Sequence, residues 1–397
     1  MRRDALLIGC LLGGLLLSPA VALPRFSVMV GEGCTTCHLN PSGQGLRNRY
    51  GVEVFGTREL AQSRREALKT VIGERLRIGG DLRVQPYFYL DDRAGVASAD
   101  PNAQTTGTET TIGLFTMQTD LYLAWDLQDQ LTIYLETDLL NQTAEVFGMW
   151  DPKGEAGYLK VGRFLPNYGL RIDDHTAFIR GGNPRSRRQG LTDGLFWGPN
   201  YSDSGLETGF RLLGLQWTLG AFNGEAFSPL NDDRELALLG RVERFVRLSR
   251  STHLLLGGNV YSSQNPTQEA LGRLLLAGGF LGIGGKSWTL TAEADWAQDY
   301  LPANGAAQTG SPTRGAHSLA IFVEGAVRAA QGVYLLARLE HFDPDLDADG
   351  QRFWRGSLGA EWYPVPYLEI KPTLRYTDQG TDQVRLLEAL LQLHGWL

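Results

Sequence analysis

The residues whose types and spacing can do chemistry lie near the start of the chain. Cys34-Thr35-Thr36-Cys37-His38 reads C-x-x-C-H, the attachment signature of a c-type haem. Two thiols three positions apart on one turn can each add to a vinyl group of a porphyrin. The histidine that follows then presents its imidazole to the iron. Covalent attachment keeps the group from being lost outside the cytoplasm and holds the axial ligand in register. Two other uses of a cysteine pair were weighed. A thioredoxin-like dithiol needs a βαβ setting, which the flanking sequence lacks. A zinc site needs a second Cys pair or a spaced His pair, and the chain has neither.

The N-terminus places the motif outside the cytoplasm. Met1-Arg2-Arg3 is a positive n-region, Ala5 to Leu17 is apolar, and Ser18-Pro19-Ala20-Val21-Ala22 ends in an A-x-A cleavage pattern. Residues 1–22 are therefore expected to be a secretory signal peptide. Leu7-Ile8-Gly9-Cys10 is lipobox-like, but the apolar stretch before Cys10 is short, so Cys10 is expected to leave with the signal. Of the 3 cysteines, the mature chain would keep only the two of the motif.

Composition narrows the class of molecule. The 397 residues are 43% hydrophobic and 20% charged, with a net charge of −7. A nucleic-acid partner held by bulk positive charge is excluded, and so is a disordered chain. Mean hydropathy is −0.19, and beyond residue 22 no apolar run approaches the ~20 residues of a transmembrane helix. A soluble globular chain or a membrane β-barrel remains.

The elements that must position the motif follow it. Asn40-Pro41-Ser42-Gly43-Gln44-Gly45 is turn-rich. Leu46 to Tyr50 and Glu59 to Ile72 read as two short helices with mixed faces. Residues 23–75 are too few to give a haem its full apolar shell, so another part of the chain should cover it.

From Leu76 the period changes to two. Leu76, Ile78, Gly80, Leu82, Val84, Phe88 and Leu90 alternate with Arg77, Asp81, Arg83, Gln85, Tyr87 and Tyr89. The pattern returns around Leu121 and Trp125, Ile133 and Leu135, Leu290 and Ala292, and Leu368 to Tyr376. About sixteen strands are expected, near 76–90, 114–127, 130–140, 144–150, 157–164, 205–212, 214–223, 235–245, 252–262, 270–282, 286–297, 316–328, 332–342, 353–363, 366–377 and 384–397. Connections after odd strands are mostly long and those after even strands mostly tight. That sorting, with strands long enough to cross an outer membrane on a tilt, points to a transmembrane β-barrel rather than a sandwich. Trp125, Trp150, Trp288, Trp296, Trp354, Trp362 and Tyr363 sit near strand ends, as interfacial girdles do. Trp396 is followed by Leu397, whereas such barrels commonly end in an aromatic, which leaves the register of the last strand open. The fold class is thus all-β: an antiparallel barrel over 76–397, with a short helical haem segment over 23–75 plugging or docking at the pore.

Charges of both signs fall on the inward positions, among them Arg77, Arg83, Asp120, Glu136, Asp138, Arg211, Glu293, Asp295, Glu324, Arg328, Arg338, Glu340, Glu361 and Arg375. Most are expected to be solvated lumen residues, and some arginines to pair with haem propionates. Two residues are candidates for the distal iron ligand. His175 lies in the long 165–204 connection beside Asp173, Asp174 and a basic run of Arg180, Arg185, Arg187 and Arg188. Met29 lies five residues before Cys34. An open sixth site is the third option. Asp345-Leu346-Asp347-Ala348-Asp349-Gly350 matches the first half of a Ca²⁺ loop, but the twelfth position is Gly356 rather than Glu. Turn chemistry is the expected role, with weak Ca²⁺ binding at Asp345, Asp347 and Asp349 the lesser one.

Signal peptide, minimal C-x-x-C-H segment and sixteen-strand barrel together resemble the fused outer-membrane cytochrome–porins of iron-oxidising bacteria. The barrel separately is similar to the phosphate-selective porin O/P type, on Val161-Gly162-Arg163-Phe164-Leu165-Pro166-Asn167-Tyr168-Gly169 and Ala221-Phe222-Asn223-Gly224. The resemblance implies one haem c on Cys34, Cys37 and His38, in or under the pore, passing electrons across the outer membrane. It implies a periplasmic carrier, such as a cytochrome, as one partner. An extracellular donor or acceptor, for instance Fe(II), would be the other, with lipid around the barrel. The chain would then be an electron carrier rather than a substrate-converting enzyme, unless Fe(II) oxidation is counted as one. Two other functions stay open: an anion-selective diffusion porin whose haem segment is a plug, and a peroxidase-like haem enzyme with an open iron.

Overall fold

The computed structural model describes residues 24–93, 108–140, 143–152, 157–172, 174, 176–182, 194–195, 201–224, 235–264, 273–302, 315–348, 352–378 and 384–397. Its frame is a run of long antiparallel strands. These are β1 (Leu76–Arg93), β2 (Thr108–Gln128), β3 (Leu131–Asp138), β4 (Thr143–Trp150), β5 (Tyr158–Phe164) and β6 (Asp203–Leu212). Then come β7 (Leu215–Phe222), β8 (Ala237–Arg247), β9 (Thr252–Gln264), β10 (Arg273–Gly285) and β11 (Trp288–Pro302). The last are β12 (Gly315–Ala330), β13 (Val333–Asp343), β14 (Phe353–Trp362), β15 (Leu368–Asp378) and β16 (Val384–Trp396). Each pairs with its sequence neighbours, and β16 returns to β1 through pairs such as Ala389 with Phe88 and Trp396 with Asp81. The sixteen strands therefore close into a barrel, and closure removes the edges that would otherwise expose unpaired backbone. A two-residue strip, Val71–Ile72, pairs beside β1 as the chain enters the wall.

The alternation seen in the sequence is realised inside out. Leu82, Leu121, Leu290 and Leu358 lie on the outer face and are 40–64% exposed, while Asp81, Asp120, Glu293 and Arg355 beside them are at most 7% exposed. A water-soluble sheet would reverse that arrangement, since apolar area left in water costs about 25 cal/mol per Å². Against lipid the apolar exterior costs nothing. The register slips once between Arg83 and Val84 of β1, leaving Met117 of β2 as the extra residue of a bulge. The bulge switches which parity faces out, so Ile112 and Leu114 above it and Leu121 below it are all exposed.

Short turns join β2 to β3, β6 to β7, β10 to β11 and β12 to β13 at one end, and the long connections gather at the other. Trp125, Trp150, Trp288 and Trp362 ring the turn end and are 40–50% exposed, and Trp354 marks the loop end. Tyr363 departs from the expected girdle: it is 3% exposed and packs inside against Trp396. Trp396 itself faces inward, because it pairs directly with inward-facing Asp81. The final strand thus ends on a lumen aromatic rather than a lipid anchor.

Residues 24–61 lie within this frame, and 62–69 run exposed along its turn end. Helix α1 (Pro24–Val30) begins on a proline, whose fixed φ and missing N–H suit the first turn of a helix. Arg25 binds Glu324 of β12 at 3.3 Å and also Glu361 of β14. On the opposite wall Lys160 of β5 reaches Ser42 Oγ at 3.1 Å, and Tyr134 of β3 accepts the N–H of Leu46 at 3.0 Å. A segment bonded to walls on both sides stands in the lumen. The two expected helices need correction. Leu46 to Asn48 are not helical; helix begins at Arg49 and runs through Gly51–Leu60 as a wide π-type turn. From Ala61 to Thr70 the chain is not helical, and Gln62 N–H and Ser63 N–H bond to the carbonyls of Tyr363 and Pro364 in the β14–β15 turn. Backbone paired with a neighbour in that way cannot close a helix of its own.

Candidate functional site

Cys34 to Thr36 form a single tight helical turn, closed by the N–H groups of Cys37 and His38 bonding to the Cys34 carbonyl. Neither cysteine is in a disulfide; Cys37 is buried and Cys34 partly exposed. Burial raises the Cys34 thiol to about 11, with Glu243 adding to the shift and Arg241 and Arg171 opposing it. The loop after the motif folds back over His38. Gly43, Gln44 and Gly45 all adopt positive φ, at 80°, 67° and 65°. That run turns the carbonyl of Gly45 onto His38 Nδ1 at 3.2 Å. A carbonyl can only accept, so Nδ1 carries the proton and Nε2 keeps its lone pair. Burial, with Arg47 close by, lowers the His38 pKa to about 3, so the ring is neutral at physiological pH. A neutral imidazole with its tautomer fixed from behind is the form that binds a metal.

His38 and Cys37 line a cavity at the turn end of the lumen. Phe26, Phe55, Leu60, Ile172, Tyr363 and Trp396 supply an apolar and aromatic lining. Arg47, Arg83 and Arg171 supply positive charge. Arg83 is engaged by Asp81 at 3.4 Å. Arg47 Nη1 and Arg171 Nε are buried with no hydrogen-bond partner among the described residues, although Arg47 lies over the Trp396 ring at 5.2 Å. Buried guanidinium N–H groups left without acceptors are costly, and Arg47 and Arg171 bring two of them to a cavity whose lining also holds the carboxylates of Asp81 and Glu369. Of the C-x-x-C-H residues, Cys37 and His38 line the cavity and Cys34 does not.

Arg171 and Ile172 come from the long connection between β5 and β6, which folds into the barrel. Tyr168 Oη donates to Asp295 at 3.0 Å, and Arg180 reaches Glu293 at 2.9 Å. The Asp174 carboxylate binds Arg375 at 2.7 Å and also Arg338. Burial alone would raise the Asp174 pKa, but Arg375 and Arg338 outweigh it and hold the carboxyl well below the usual range.

Of the lumen arginines expected from the sequence, Arg83 alone lines the cavity. Arg338 and Arg375 hold Asp174, Arg77 pairs with Asp126 at 2.6 Å, and Arg211 is exposed near the β6–β7 turn. Arg47, Arg171 and His394 line it without having been singled out by sequence. A flag for Arg171 was present, since it closely follows the Leu165–Gly169 stretch of the inserted loop. Met29 is 8% exposed in an apolar cluster with Phe26, Cys37 and Trp396, and is not a lining residue. His175, Asp173, Arg185, Arg187 and Arg188 lie outside the described residues. Asp345 accepts the N–H of Asp347 at 3.1 Å, which is turn chemistry, while Asp349 lies outside the described residues. Among the described residues no group of three or more His, Cys, Asp or Glu is placed to hold a metal ion.

The barrel is porin-like. OprB of Pseudomonas putida matches at a TM-score of 0.55 and 10% identity, over 81% of this chain and 94% of its own. OmpF of Salmonella typhi matches at 0.54 and 11%, over 81% and 97%. An anion-selective porin from Comamonas acidovorans matches at 0.51 and 11%, over 81% and 99%. At such identities the likeness speaks for the fold alone, and none of the three is named as a cytochrome. No family profile matches the sequence, and no curated protein does.

Proposed function

We propose that this chain is an outer-membrane electron-transfer protein. It would hold one haem c through Cys34, Cys37 and His38 at the periplasmic end of a porin-like barrel. The observation that carries the reading is the C-x-x-C-H turn standing inside the barrel, with Cys37 and an oriented, neutral His38 on a cavity that Arg47 and Arg171 also line. The haem would supply a one-electron Fe(III)/Fe(II) couple. Cys34 and Cys37 would fix it covalently, His38 would bind the iron, and Arg47 and Arg171 would neutralise the propionates. The aromatic walls would exclude water. Each electron gained from an extracellular donor of the Fe(II) class, which leaves as Fe(III), would pass to a periplasmic one-electron carrier.

A second reading has support of its own. The barrel's neighbours include an anion-selective porin, and Arg171 and Arg180 bring positive charge into the lumen on the inserted loop. Diffusion of anions past the plug would then be the function. Two measurements on full-length protein, purified from a host that matures c-type cytochromes, separate the readings. A c-type α band that appears on adding Fe(II), and is lost in Cys37→Ala, supports electron transfer. Absence of haem, with steady anion-selective conductance in planar bilayers, overturns it in favour of the porin.

A further inference from the structure

Two segments fill the lumen: the plug of residues 24–61, and the inserted loop, described at 165–172, 174 and 176–182. They touch. Val28 of α1 is fully buried in an apolar cluster with Leu170 of the loop, against Leu255 of β9 and Phe280 of β10, and Ile172 of the loop packs on the same cluster. They are tied a second time through charge. The Glu324 carboxylate of β12 is shared: Oε1 takes Arg25 of the plug at 3.3 Å, and Oε2 takes Arg338 of β13 at 2.7 Å. The other arm of Arg338 holds Asp174 of the loop, which Arg375 also binds at 2.7 Å. None of these charged side chains is more than 12% exposed.

We propose that plug and loop are a single gate: releasing either from the wall loosens the other, and the lumen opens only when both let go. The sign of the coupling follows from the shared carboxylate. Without Asp174, Arg338 turns fully to Glu324 and competes with Arg25 for it. Without Arg25, Glu324 turns fully to Arg338 and draws it from Asp174. The apolar contact acts in the same direction, since withdrawal of α1 bares Leu170 and withdrawal of the loop bares Val28. Packed side chains and ion pairs are a physical route for coupling, and coupling between two sites is reciprocal. The gate is indifferent to what the plug carries, so it serves an electron carrier and a diffusion pore alike. The competing arrangement is two independent fillings, each held by its own wall contacts. In the loop these are Leu170 N–H to Glu293 at 2.6 Å and Gly169 N–H to Asn259 at 3.2 Å, and in the plug Arg25 to Glu361.

The test is hydrogen–deuterium exchange, read by mass spectrometry on the full-length protein in detergent, with heat-modified gel mobility to show that the barrel is closed. Gly31 and Glu32 N–H, bonded to the Ser27 carbonyl, report on the plug, and Gly169 and Leu170 N–H report on the loop. Asp174→Asn is expected to speed exchange over residues 24–33 at least about fivefold, the lower end of ordinary coupling between sites. Arg25→Ala is expected to do the same over 165–172. Val28→Ala, at the contact itself, is expected to speed both. Faster exchange confined to the segment that carries the substitution overturns the proposal, and so does a response in one direction only. Should Asp174→Asn or Arg25→Ala fail to give a closed barrel, Val28→Ala decides: unchanged exchange at Gly169 and Leu170 overturns the single gate.

Discussion

His38 is oriented by a stretch of backbone that ordinary residues avoid. The positive φ values at Gly43, Gln44 and Gly45 wind the loop so that one carbonyl faces the imidazole. A side chain at Gly45 would meet both the left-handed backbone and the hydroxyl of Tyr134. Gly45→Ala should therefore cost at least about 1 kcal/mol from backbone strain, and more from the clash. The expected outcome is faster protease cleavage between residues 38 and 50, against an unchanged barrel by heat-modified gel mobility. At this scale the sequence was legible where chemistry is local. C-x-x-C-H is contiguous, so it could be recognised without a fold. Arg47, Arg171 and His394 could not be assigned to the site, since they come from the plug, the inserted loop and the last strand, and only barrel closure brings them to one cavity.

Among the elements, the strands were the most legible and the helices the least. Period two survives because each strand meets lipid on one face and polar lumen on the other. Residues 59–72 misled because their conformation is set by partners far along the chain, the carbonyls of Tyr363 and Pro364. The inserted loop is likewise fixed by contacts that no local pattern announces, chiefly Asp174 between Arg338 and Arg375. These contacts carry a pH signature. Since the folded pKa of Asp174 is depressed below that of an unfolded carboxyl, its stabilisation is complete above about pH 4. It fades only as pH falls toward the folded value. Protection of the loop from protease should thus be flat from pH 7 to about 4 and decline below. Asp174→Asn should loosen the loop at every pH, because it leaves two buried arginines without their shared anion. A wild-type loop that opens near pH 6 would show that another group controls it.

For the molecule as a whole, the question is whether a plugged barrel conducts ions or electrons, and the plug's anchors bear on it. Arg25 reaches Glu324 and Glu361, and the side chains of all three are at most 8% exposed. Without Arg25, Glu324 keeps Arg338 at 2.7 Å and Glu361 keeps Lys371 at 3.2 Å, so the loss is expected to fall below the ~3–5 kcal/mol of a fully stranded buried charge. Arg25→Ala should therefore release α1 from the wall formed by β12 and β14 while the sixteen strands remain closed. Lys160, Tyr134 and the turn contacts of Gln62 and Ser63 would still hold the rest of the segment. The wild type is expected to pass few ions in a planar bilayer. The variant is expected to open intermittently to porin-sized steps. Steady open conductance in the wild type, unchanged in Arg25→Ala, would mean that ions bypass the plug, and the barrel would then act as a diffusion pore whatever its N-terminal segment carries.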